Sequence, residues 1–151
     1  MFELRMFIVL LALLTTSMLA GAGVYEQLVL DPAWPARPDI VRPANGGADR
    51  KRYWVPSNIL AVVAMIAAIW AVWPAPSARS WVLCAAVCSL VINVATVGYF
   101  APRVLRVERD GVAPNHPHST RWVALSRWRT PVAIVLDFCL IIAVMRLAAT
   151  S

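Results

Sequence analysis

A chain of 151 residues has the length of one ordinary soluble domain, but 60% hydrophobic and 15% charged content leave too little polar surface to cover one. A mean hydropathy of +0.67 points the same way. Fourteen Lys and Arg against eight Asp and Glu give a net charge of +6. In so apolar a chain that excess is no nucleic-acid footprint, and what matters is where the charges stand around the apolar runs.

The first apolar run covers about 4–24, with Glu3 and Arg5 at its mouth. Ala20-Gly21-Ala22 behind it could be the cleavage site of a secretory signal. Glu3 cancels Arg5, however, so the leading charge is weak and a retained helix is the stronger expectation. Residues 25–56 form a long Pro-rich loop without helical periodicity, in which the prolines favour extended or turn structure. It carries Arg37, Arg42, Arg50, Lys51 and Arg52, alongside Glu26, Asp31, Asp39 and Asp49.

The second run begins after Pro56 and covers 57–73; a tight turn, 74–80, follows with only Arg79 charged. The third, 81–101, has no formal charge. Residues 102–130 form a second long loop with Arg103, Arg106, Arg109, Arg121, Arg127 and Arg129. Within it the third helix is expected to continue to about Arg109, stop at Asp110-Gly111, and give way to a short interfacial helix near Thr120–Arg129, amphipathic through Trp122, Leu125 and Trp128 or Arg129. The fourth run, 131–149, is broken by Asp137 and starts at Pro131 behind Thr130 as N-cap. All eleven prolines are expected outside the run interiors.

Crossing a bilayer takes about 20 apolar residues, and in hydrocarbon each must pair its backbone internally. The fold class is therefore all-α: one domain, an integral membrane bundle of four transmembrane helices. The two long loops hold five and six basic residues, which places them in the cytoplasm and both termini outside a cell (inner) membrane. Trp70, Trp73 and Trp81 mark one interface; Trp54, Trp122 and Trp128 mark the other.

Helices in lipid associate through small or polar faces. Ala61, Ala64, Ala68 and Ala71 share one face of the second helix, and Ala85, Ser89, Asn93 and Thr96 one face of the third. Ser17, Ala20 and Gly21 are the first helix's candidates for the interior.

Asp137 is the most informative residue. A carboxylate near mid-membrane costs about 2.5–3.5 kcal/mol, so it must face the interior or be neutral. It is either a proton-handling or substrate-binding group, or a structural hydrogen-bond partner of Asn93 or Arg129. Asn93 could equally glue helices, and Glu26 could be a solvated interfacial acid. Arg129 could snorkel to lipid or pair inward with Asp137 or Glu26. Glu26, Asn93, Tyr99, Arg129 and Asp137 gather in the half of the bilayer beneath the long loops, while the other half offers little beyond Thr15, Thr16 and Ser80. That asymmetry predicts a pocket open to one leaflet rather than a through-going pore.

His116 and His118 are weak metal candidates, because a site needs three or four ligands; a solvated turn is the plainer reading. Cys84, Cys88 and Cys139 lie in the runs without a C-x-x-C and read as small hydrophobes. No phosphate loop, catalytic triad, haem or dinucleotide signature is recognisable, so no cofactor is evident.

Taken together, Gly21-x-Gly23-x-Tyr25-Glu26, a Pro/Trp loop, Asn93 with Tyr99-Phe100-x-Pro102, and Arg121-Trp122 with Trp128-Arg129 ahead of the last helix form a pattern. It resembles the small four-helix membrane family of largely unknown function that includes the fungal anthrone oxygenases. In that family an Asn of the third helix and a Trp…Arg before the fourth recur, mapping onto Asn93, Trp122 and Arg129. The resemblance implies a membrane enzyme oxidising an apolar, often aromatic, molecule without an obvious prosthetic-group motif.

The expected function is then oxygenase-like, on a lipophilic small molecule entering from the bilayer. Glu26 or Asp137 would be the base, Arg129 and Asn93 would stabilise the oxyanion, and Tyr25, Tyr99 and Trp122 would contact substrate. The alternative is a non-enzymatic subunit or accessory protein that binds a membrane partner. A proton-coupled transporter is disfavoured for so few helices unless the chain forms a homo-oligomer.

Overall fold

The computed structural model describes residues 2–111 and 113–149; Met1, Val112, Thr150 and Ser151 lie outside it. The described residues form α1 (Phe2–Tyr25), α2 (Lys51–Ala71), α3 (Pro76–Ala95), α4 (Ala101–Asp110), α5 (Pro117–Ser126) and α6 (Arg129–Ala148), with no strand among them. Four segments are long and apolar enough to cross a membrane: Glu3–Leu30, Lys51–Ala71, Pro76–Asp110 and Pro117–Ala148. The fold is an all-α four-helix bundle of membrane type, as composition predicts.

Packing follows the small faces. Ala64 and Ala68 of α2, Ala78, Val82 and Ala85 of α3, Leu136, Leu140 and Ala143 of α6, and Val9 and Ala12 of α1 form one buried core around the α2–α3 turn. Large residues such as Phe7, Ile66, Trp70, Val94 and Phe138 point outward, as a lipid-facing surface requires. The extensive pairings are α3 with α6, α6 with α1 and α1 with α2; α2 and α3 share much less. On α1 the expected interior face is displaced. Gly21 and Ser17 are exposed, whereas Ala20 is half-buried and faces the interior, and the buried stripe is Val9, Ala12 and Thr16.

Several boundaries also move. The second helix starts at Lys51, not after Pro56, so Pro56 stands inside α2, against expectation. As the sixth residue it forgoes one bond, to the Arg52 carbonyl, near the exposed start of the helix. Pro102 lies within one continuous rod, Pro76–Asp110, which runs as far as expected. That rod and the first helix each widen into a single π-turn, Thr96–Phe100 and Glu26–Leu30. The Ala101 N–H closes on the Thr96 carbonyl, and the Asp31 N–H on the Glu26 carbonyl at 2.7 Å. Each closing residue is followed by a proline, Pro102 or Pro32, which brings no N–H and whose ring crowds the carbonyl four residues back.

The long loops are folded as a cap. Loop 1 makes 3-10 turns at Pro38–Val41 and Pro43–Asn45. Gly47 crosses so close over residues 39–42 that a Cβ there would stand 2.8 Å from the Arg42 nitrogen. Gly111, at φ +72°, ends α4 where expected. The short helix of the second loop forms too, as α5, but it buries Ser119, Trp122, Val123 and Ser126. Leu125 is left outside. Trp122 is thus no interfacial anchor: with Trp34, Val41, Phe100, Val107 and Val123 it makes a second core. The cap is tied down by Trp34 edge-on to Trp122, Trp122 Nε1 donating to the Phe100 carbonyl (3.1 Å), Ser126 Oγ donating to Asp31 (3.2 Å), and Gln27 Nε2 donating to Thr130 Oγ1 (2.6 Å).

Candidate functional site

Where the core ends, α2 and α3 part, and a cavity of about 720 Å³ opens between α2 on one side and α3–α4 on the other. Its floor and walls are Thr16, Leu19, Ala20, Ala61, Ile92, Ala133 and Leu136, nearly all apolar. Its upper end, under the cap, is lined by Glu26, Asp31, Arg50, Lys51, Glu108 and Arg129, with Trp54, Phe100 and Trp122 among them. The polar stripe of α3 takes part in both regions. Ala85 is core, whereas Ser89, Asn93 and Thr96 line the cavity.

The charged end is a connected network. Trp54 Nε1 donates to Glu26 Oε1 at 2.9 Å, and Arg50 Nη1 stands 3.5 Å from the same oxygen. Arg50 Nε faces Glu108 Oε1 at 3.8 Å, and Lys51 Nζ faces Glu108 Oε2 at 3.1 Å. Arg50 and Glu108 are buried, which charges tolerate only when paired. Asp31, also buried, accepts from Trp34 Nε1 and Ser126 Oγ. Burial and the nearby Glu26 charge push its carboxyl above the ordinary value.

Arg129 is held differently. Its Nε donates to the Ser126 carbonyl at 3.4 Å, and its guanidinium lies 4.4 Å from the Phe100 ring centre and 5.6 Å from that of Trp122. Among the described residues no carboxylate stands within 4.0 Å of it. Asn93 Nδ2 donates back to the Ser89 carbonyl at 2.9 Å, along its own helix.

The structure therefore brings Glu26, Asn93, Arg129 and Trp122 to one space. Asp137 stands apart, in the groove between α6 and α1. Thr16 Oγ1 donates to its Oδ1 at 2.7 Å and Ser17 Oγ to its Oδ2 at 2.9 Å. Its partners are thus neither Asn93 nor Arg129. Tyr25 is exposed and Tyr99 lies beneath Arg103, whose guanidinium is 3.6 Å from the ring; neither lines the cavity. His116 caps α5, its Nδ1 accepting from the His118 N–H at 3.2 Å, and the two rings stack. Among the described residues no third His, Cys, Asp or Glu joins them.

Arg50, Lys51, Asp31, Asn58 and Glu108, with Gln27, Arg106 and Arg109, are among the cavity residues that sequence reasoning did not assign to a site. The first three belong to a loop whose charges count toward topology, and Glu108 sits among arginines on a helix end. Its one legible signal was its place on α4, at helical spacing from Val104 and next to Val107.

Comparison with protein-family models, curated proteins and solved structures gave no match.

Proposed function

We propose that this chain is a membrane enzyme acting on a lipophilic small molecule, oxygenase-like in the sense its resemblance to the anthrone oxygenase family implies. The observation that carries this is the cavity itself: an apolar chamber meeting a cluster of charged side chains, of which Asp31, Arg50 and Glu108 are buried, with its side gap between α2 and α3–α4. Pockets for small organic ligands span about 300–1,000 Å³ and combine apolar walls with a few convergent polar groups. A molecule dissolved in the bilayer enters through the gap without crossing water.

In the proposed chemistry Glu26 takes a proton from an activated carbon of the substrate, and Arg129 holds the oxygen on which charge gathers. Dioxygen is the oxidant. It adds to the deprotonated carbon, and the resulting hydroperoxide eliminates water to leave a carbonyl, so one oxygen atom stays in the product. Asn93 supplies a polar contact from α3, and the Trp34–Phe100–Trp122 cap excludes water. The charged end faces the cytoplasm, by the positive-inside rule.

Oxygen uptake tests this. The chain in nanodiscs, given an anthrone, should consume one dioxygen per quinone formed, with Glu26→Gln and Arg129→Gln each lowering turnover at least about a hundredfold. Uptake no faster than in empty nanodiscs across a set of anthrones would reject the enzyme reading.

A further inference from the structure

Arg50 and Arg129 both stack against Trp122, with guanidinium carbons 5.5 and 5.6 Å from its ring centre. Both line the cavity. Two like charges held on one indole repel each other, and the surrounding acids relieve this unevenly. Arg50 faces both Glu26 and Glu108, yet its buried Nη1 makes no hydrogen bond. Arg129 has its Nε bonded to a carbonyl, while neither Nη finds an acceptor among the described residues. A planar fork with two free N–H groups, fixed by stacking on Phe100 and Trp122, is the arrangement that grips a carboxylate through two parallel hydrogen bonds. Below it the walls are apolar, through Leu19, Ile92, Ala133 and Leu136. The volume suits one chain or one fused-ring system.

We infer that the ligand of this cavity is a carboxylate-headed amphiphile, its head held by Arg129 with Arg50 beside it and its apolar body directed toward Thr16 and Leu136. This rests on the reading of the cavity as the substrate chamber and narrows it: the preferred ligand carries a carboxylate, and an anthrone, which offers Arg129 a single oxygen, is the weaker one.

The test uses the full chain in phosphatidylcholine nanodiscs with two probes, cis-parinaric acid and its methyl ester, which share a fluorescent tail and differ in charge. The acid should bind saturably and at least about tenfold more tightly than the ester. Arg129→Gln should remove that difference, with circular dichroism and thermal melting showing that the variant is folded. Arg129→Lys, which keeps the charge but loses the fork, should keep only part of it. Equal affinity for acid and ester, or an unchanged acid affinity in Arg129→Gln, overturns the carboxylate assignment and leaves the chamber standing. Binding of neither probe overturns both. Displacement of the acid by phosphatidic acid added to the nanodisc would overturn it in favour of a lipid headgroup.

Discussion

At the residue scale, Asp137 and Glu26 are acids in different situations. Asp137 is masked by two hydroxyls of α1, so it acts as a fastener between α1 and α6. Interhelical hydrogen bonds in membranes average about 0.6 kcal/mol and reach about 1.7. Asp137→Asn should therefore lower stability by about 1 kcal/mol, read by thermal melting, while cavity binding and turnover stay at wild-type levels. A loss of binding without a loss of stability would instead place Asp137 in the site. Gly47→Ala meets backbone atoms of residues 39–42 that cannot retreat. It should cost about 1–3 kcal/mol and open loop 1 to limited proteolysis ahead of the helices. Glu26, Asn93 and Arg129 were legible because a polar side chain at the edge or middle of an apolar run must justify its desolvation. Asp137 was noticed for the same reason, but nothing in the spacing says which neighbour answers it. That depends on how α1 rotates, and the rotation expected from Ser17 and Gly21 is not the one adopted.

At the element scale, the four spans were readable from length and hydropathy, and the alanine face of α2 from its period alone. The ends were not. Pro56 looks like punctuation, yet α2 begins before it and continues through it, while at Pro102, where the helix was expected to continue, a π-turn makes room for the ring. That π-turn delivers the Phe100 carbonyl to Trp122 Nε1. Trp122→Phe leaves this buried carbonyl without its donor, which costs about 1–3 kcal/mol. It also weakens the platform under both guanidiniums. The expected result is a lower melting temperature together with weakened parinaric acid binding. Pro102→Ala permits an ordinary α-turn, so it should preserve helicity by circular dichroism while disturbing that same binding. If affinity is unchanged, the π-turn does not set the site. Loop 1 and α5 were the least legible elements, because their order comes from burying Trp34 against Trp122 across the chain rather than from local propensity.

For the whole molecule, the cap couples acidity to stability through Asp31, whose carboxyl is raised by burial and by Glu26. The folded state then holds this proton to a higher pH than the unfolded chain does, so stability falls as pH rises from the ordinary carboxyl value through the raised one. Above that window the loss is complete. Asp31→Asn removes this dependence; relative to wild type it should be more favourable at pH 7 than at pH 4 in thermal melts. A difference independent of pH would reject the assignment. Sidedness is a property of the molecule as a whole as well. With the native cysteines replaced, a cysteine at Thr120 should be labelled by a membrane-impermeant maleimide only from the cytoplasmic side, and labelling from outside would invert the orientation.

The cap also sets an order of events during synthesis. Asp31 bonds to Ser126, and Arg50 and Lys51 face Glu108, so the acids and bases of the first loop wait for partners encoded more than fifty residues later. Three spans must enter the bilayer before α5 leaves the ribosome. Until then Glu26 and Arg50 depend on water for their solvation, and the chamber stands open at its charged end. A nascent chain released before α5 lacks α6 as well, and with it Ala133, Leu136 and Arg129, so the floor and the roof of the site are completed together at the end of synthesis rather than by local folding.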